Sequence, residues 1–295
     1  MRTILILILL ATPALAQPKK ITVAIYAPSV EFGGSTARVT YVQGLAKAIE
    51  QNTGMQVEAQ SYANLAALKK DNVDFAIVDG PCYSANLGWK LLATASMGGG
   101  TARAYALFAS DAKDMQGLKG KKLAFIAAGC NDAGFVDNAM LDSEIDPGFF
   151  GARVGKPDLT AAIAEVAQTK TAQAVFAPVG SVKGLAKLFD TGAVPNPAFV
   201  EVATKLPQAT IDKVAAAVIG YGGGGAIAAW VRPSRDIYTS FAGRLGRVVK
   251  TPIFANAEPA RIDAKDVLIE PPTLKDYALV GVRHHFVRAP GERME

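Results

Sequence analysis

The sequence predicts an α/β protein of two similar lobes that face each other across a cleft. A strand–helix alternation opens at residue 21, breaks at the triple glycine 98–100, and resumes near residue 123. In both series, apolar runs of strand length alternate with segments of helical apolar spacing. That order implies parallel strands joined by crossovers. The composition allows a large core: half of the residues are hydrophobic and 19% are charged, as in an ordinary globular chain.

The first sixteen residues are expected to lie outside the fold. Arg2 supplies a positive n-region and "ILILILLA" an apolar core. "ATPALA" then ends in the A-x-A pattern of a cleaved signal peptide. The mature chain is expected to begin at Gln17, in the periplasm. No cysteine follows the cleavage point, so no lipid anchor is expected there. An uncleaved membrane anchor is the alternative, and the shortness of the apolar run opposes it.

"ITVAIYA" (21–27) is a β-branched strand and "PSVEFGGS" a Pro/Gly-rich loop. "TARVTYVQGLAKAIEQNTG" carries helical apolar spacing and stops at Gly54. "MQVEAQSY" alternates as a strand, "ANLAALKKDN" reads as a short helix, and "VDFAIVDGP" is a buried strand ended by Gly-Pro. "KLLATASMGGGTARAYALFAS" reads as two strands about the triple glycine. "LAFIAA" opens the second series, with a helix from near Asn131. "KPDLTAAIAEVAQTK" is a helix with Thr160 as a weak cap, and "AQAVFAPVGS" is another buried strand. "NPAFVEVATKLP" leaves as a strand, followed by the helix of "QATIDKVAAAVIG" and the glycine run 222–225. That run lacks the Lys-Ser/Thr ending of a phosphate loop and follows no clear strand, so it reads as a turn. The expected division is a signal peptide 1–16, lobe 1 from 17–105, lobe 2 from 106–200, and a return to lobe 1 plus an unassigned tail over 201–295.

The net charge of +5 is modest and its lysine pairs are scattered. The reading therefore excludes a nucleic-acid partner. Cys82 and Cys130 share no metal-ligand spacing. A disulfide is permitted in an oxidising compartment, but it would tie two loops facing one cleft and oppose opening. Two reduced, half-buried thiols are the favoured expectation; a soft metal held by both is an alternative. The only histidines, His284 and His285, lie in the tail. Nothing places them near a thiol for nucleophilic catalysis, and adjacent strand side chains point to opposite faces.

Several pieces occur in a telling order: "ITVAIYAPS", "YVQGLAKAIEQNTGMQVE", "LKKDNVDFAIVDGPCYSAN", "LFASDAKDMQGLKGKKLAF" and "LPQATIDKV". From about Ile21 to Gly246 the chain resembles the periplasmic phosphate/phosphonate-binding (PhnD-like) proteins, solute-binding proteins of ABC importers. The resemblance implies a type 2 periplasmic binding protein fold, with two mixed sheets flanked by helices and joined by crossover strands. In that family the turn into lobe two carries Ser-Thr-Ser-Gly-Tyr, whose hydroxyls hold the ligand's anionic head. Here Asn131-Asp132-Ala133-Gly134-Phe135 stands in its place, with the hydroxyls gone and a carboxylate added. Two like charges about 4 Å apart repel by ~4 kcal/mol at an effective dielectric of 20, and about 1.4 kcal/mol is tenfold in affinity. The family's anionic ligand is therefore not expected. Asp132 is read either as a ligand contact or as an internal occupant of the anion's place at the helix start.

The resemblance also gives Tyr83 as a cleft tyrosine, with a buried tyrosine bonded to backbone as its structural alternative. Tyr26, Ser35, Thr36, Asp79, Cys130, Asn131, Asp132, Phe135 and Ser181 complete the expected ligand contacts. For Ser35, helix capping is the competing role; for Asp79, it is capping of its loop. No catalytic residue, metal or cofactor is expected. The expected function is capture of a small solute between the lobes and delivery to a permease by a monomeric protein. Ala27, Pro28, Ala127, Ala128, Ala133, Phe135, Pro178 and Val179 give the cleft loops an apolar flavour. That leaves a carrier of a hydrophobic ligand such as a lipid as one alternative, and a sensory or partner-binding protein as another.

Overall fold

The computed structural model describes residues 20–247. The expected signal peptide, both histidines and nearly all of the tail lie outside the described residues. The expected two-lobed α/β fold is present, as two mixed sheets flanked by helices.

The first sheet has the order β11-β4-β10-β3-β1-β2. Its strands are β1 (Ile21–Tyr26), β2 (Val57–Ser61), β3 (Phe75–Val78), β4 (Lys90–Ser96), β10 (Ala198–Glu201) and β11 (Ala229–Val231). β1 runs parallel to β2 and β3, joined by α1 (Ser35–Thr53) and α2 (Leu65–Lys70). β10 and β11 pair antiparallel with their neighbours. α1 stops at Gly54, whose φ of 70° lies in the left-handed region that glycine enters without strain. Val42, Leu45 and Ile49 of α1 pack on Val23, Ile25, Phe75 and Phe199 of the sheet. The Phe75 and Phe199 rings stack at 5.9 Å.

The second sheet has the order β7-β6-β8-β5-β9: β5 (Ala102–Ala109), β6 (Lys122–Ile126), β7 (Ala152–Lys156), β8 (Ala174–Pro178) and β9 (Ala186–Pro195). β6 is parallel to β7 and β8, and β5 is antiparallel to β8 and β9. β8 is buried along its whole length, which is why its sequence is a continuous apolar run. α4 (Leu159–Ala167) covers one face. It is capped by Asp158, whose carboxylate accepts from Ala161 N at 2.8 Å; Thr160 is inside the helix rather than its cap. A seven-residue π-helix, Gly134–Met140, covers the other face with Phe135, Val136 and Met140.

The chain passes between the sheets twice, at 97–101 and at 196–197. Asn196 ties the two passages together. Its N–H donates to Thr101 O at 2.9 Å and its Nδ2 to Gly100 O at 2.8 Å. Helix α5 (Gln208–Ile219) packs on the first sheet beside α1. Helix α6 (Arg235–Leu245) touches both lobes: it meets the short α3 (Gly80–Ser84) on one side and β9 and the π-helix on the other. Tyr238 of α6 is fully buried, stands edge-on to Tyr83 at 4.7 Å, and donates to Asn196 O at 2.9 Å.

Candidate functional site

Loops from the C-terminal ends of β1, β3 and β6 converge where the lobes meet, the position at which open α/β sheets form ligand crevices. The loop after β1 brings Ser29. The turn after β3 brings Asp79 and Pro81. The loop after β6 brings Ala128, Cys130 and Asp132, and Tyr105 and Phe135 close the space. The chamber between them is about 20 Å³, room for about one water.

Asp79 is almost wholly buried. Its two oxygens accept from Ser29, from Oγ at 2.6 Å and from the backbone N–H at 2.8 Å. It occupies the residue before α3 but makes no cap bond there. Burial pushes its carboxyl above the usual carboxylate range, against the Ser29 bonds and the nearby Arg103. Burial also pushes the Tyr105 hydroxyl up to about 12. The Arg103 guanidinium lies over the Tyr105 ring at 5.8 Å. Its Nε is buried without a hydrogen-bond partner among the described residues.

A carboxyl with a raised folded pKa binds its proton more tightly folded than unfolded. Its contribution to stability is complete below the unfolded pKa and is lost as pH rises through the folded value. Wild type should therefore gain stability relative to Asp79→Asn as pH falls from 7 toward 4. Parallel pH profiles of denaturation midpoints for the two proteins would refute this.

Asp132 turns back on its own loop. Its Oδ2 accepts from Gly129 N at 3.1 Å and its Oδ1 from Cys130 N at 3.3 Å. Asn131 adopts a φ of 67°, and its Oδ1 accepts from Gly134 N at 3.2 Å. Side chains of the turn itself thus take the N–H groups that an anion would use. The Asn131 and Asn138 amides both donate to Leu245 O at the end of α6, at 3.5 and 2.8 Å.

The expectation of two reduced thiols is corrected. Cys82 and Cys130 form a disulfide with Cα atoms 4.9 Å apart. It links α3, against the first sheet, to the loop leaving β6 of the second. Three hydrogen bonds cross the same junction. Tyr26 Oη donates to Ala128 O at 2.7 Å, Arg103 Nη2 to Ser29 O at 3.1 Å, and Leu159 N to Pro28 O at 3.0 Å. Each contributes a net ~1 kcal/mol. Burial raises the Tyr26 hydroxyl far above its ordinary value, with Asp79 and Asp132 adding to the shift; it remains a donor at any physiological pH.

Asp79, Cys130, Asp132 and Phe135, all named from sequence, line the chamber. Tyr26 lies at its edge through Ala128. Tyr83 has no exposed surface; its hydroxyl donates to Trp89 O at 3.2 Å, the buried arrangement weighed as its alternative. Ser181 sits in a turn, its Oγ donating to Pro178 O at 2.8 Å. Ser35 and Thr36 line a separate open groove of about 690 Å³ beside the glycine run and Tyr221. The capping role for Ser35 is corrected: Gly34 holds the cap position of α1, with no side-chain cap bond. Ser29 and Tyr105 were missed. A serine directly after Ala-Pro and a strand tyrosine carry no distinctive signal. Among the described residues no cluster of three or more His, Cys, Asp or Glu could hold a metal.

No protein-family model matches the sequence, and no curated protein matches it. Solved structures do match in fold. PhnD1 of Prochlorococcus marinus, in complex with methylphosphonate, superimposes with a TM-score of 0.60 at 10% identity, over 77% of this chain and 98% of that one. A Xanthomonas citri protein solved bound to ATP gives 0.59 at 10% identity, over 77% and 96%. A binding-protein component of an ABC phosphonate transporter from Pseudomonas aeruginosa gives 0.57 at 14% identity, over 74% and 83%. The chain has the type 2 periplasmic binding protein fold, and the resemblance to phosphonate-binding proteins is one of fold. Among the described residues, no helix is long and apolar enough to cross a membrane.

Proposed function

We propose that this is an exported, monomeric solute-binding protein that captures one small neutral or cationic solute between its lobes. It then presents the solute to the membrane permease of an ABC importer, and no bond is broken. In this reading the lobes divide at the two passages, 97–101 and 196–197, a few residues before the bounds at 105 and 200 expected from the sequence. The supporting observation is the convergence of three strand-end loops on one inter-lobe chamber whose charged lining residues are the carboxylates Asp79 and Asp132. Both are already bonded, Asp79 to Ser29 of the loop after β1 and Asp132 to N–H groups of its own loop, which disfavours an anionic solute. A chamber of about 20 Å³ gives the hydrophobic-carrier alternative no support, and a solute must part the lobes to reach it. The folds that resemble this one include named binding proteins, in keeping with a non-enzymatic role.

A thermal-shift screen tests the reading, using disulfide-bonded and dithiothreitol-treated protein. Neutral or cationic amino acids are expected to raise the melting temperature, while methylphosphonate and inorganic phosphate leave it unchanged. Methylphosphonate stabilising wild type as strongly as Asp132→Ala would overturn it.

A further inference from the structure

The Cys82–Cys130 disulfide joins the two lobes at the chamber itself, since Cys130 is one of its walls. A hinge motion that opened the cleft would have to separate these residues. Their Cα atoms stand 4.9 Å apart, and a disulfide spans at most about 6.8 Å. Less than ~2 Å of parting is therefore available at this point while the bond exists. A solute of several heavy atoms needs a wider gap. Once the bond is cut, three hydrogen bonds remain beside the chamber among the described residues, Tyr26 to Ala128, Arg103 to Ser29, and Leu159 to Pro28, while α6 keeps its own ties to the second lobe through Asn131, Asn138 and Arg244.

We propose that Cys82–Cys130 is a redox latch on the cleft: oxidised, the lobes are sealed; reduced, they part and admit the solute. This rests on the reading of the cleft as a solute site. The reductant is a dithiol. One of its thiolates attacks Cys130 Sγ, the more accessible sulfur at 5% residue exposure against 0% for Cys82. The S–S bond breaks, its electron pair passes to Cys82 Sγ, and that sulfur takes up a proton. The second thiol of the reductant then attacks the mixed disulfide and releases Cys130 as its thiol. Two electrons have moved: the protein holds two thiols and the dithiol has become a disulfide.

NMR-detected hydrogen exchange tests the latch with no solute present. Three proteins are compared: oxidised wild type, wild type refolded in dithiothreitol, and Cys82→Ser/Cys130→Ser. The Leu159 amide, bonded across the junction to Pro28 O, is expected to lose at least 10-fold more protection than the core in the two forms lacking the bond. The amides of Val23 and Ile77, in the core of the first sheet, report global opening and should lose no more than the overall destabilisation that removal of the crosslink brings. Equal protection of Leu159 in all three overturns the latch. So does a loss of protection as large in the core as at Leu159 in both forms lacking the bond, which makes the disulfide a support of the whole fold. Because no solute enters the measurement, failure of the solute screen leaves this result standing, and failure of the latch leaves the screen standing.

Discussion

Gly80→Ala is expected to destabilise the protein by more than ~3 kcal/mol. A Cβ at position 80 would lie 1.9 Å from Pro195 O, 2.6 Å from the Pro195 carbonyl carbon and 2.8 Å from Asn196 O. All three are backbone atoms, at the end of β9 and the start of the passage between the sheets. Asn196 is fully buried and bonded to both passages, so the obstacle has nowhere to go. The added methyl must push α3, with Cys82 on it, away from β9. Gly222→Ala serves as control, because a Cβ there meets nothing within 4 Å; its effect should stay within about 0.5 kcal/mol. Equal denaturant midpoints for the two variants would show that α3 and the passage are not in fixed contact.

Cys82→Ser is expected to cost about 4 kcal/mol. The bond closes a loop of 48 residues, and the chain-entropy relation for a loop of that length gives about this figure at 25 °C. The loss comes mainly from the unfolded chain regaining freedom, so reduced wild type should show the same loss. Urea denaturation of oxidised wild type, reduced wild type and Cys82→Ser checks it. Coincident curves for all three would show that the bond constrains neither state.

The alternation of strands and helices was legible because β1, β3, β6 and β8 are buried runs bounded by turn residues, as period and punctuation require. The glycine stop of α1 and the two strands on either side of the triple glycine were legible for the same local reasons. β7 and β9 were not read from the sequence. β9 carries Lys187, Asp190 and Gly192 and is half exposed along an edge, so it lacks the apolar signature of a strand. α6 was unread as well; its buried Tyr238, Phe241 and Leu245 make sense only against α3 and the π-helix. The turn after β6 was legible as a turn because its strand is unmistakable. The pairing of Cys82 with Cys130 depends on how closely two lobes approach, and no local pattern carries that distance. Ser29 escaped notice for the same reason, since its partner Asp79 is 50 residues away.

The carboxylate of Asp132 is tethered within three residues of the N–H groups it engages. A tethered group competes at an effective concentration on the order of millimolar or higher. Any free anion approaching this turn therefore meets a resident competitor that dilution cannot remove. On the proposed reading the turn is a receptor supplied with its own antagonist, and the expected discrimination against anions would rest on chain connectivity as much as on charge.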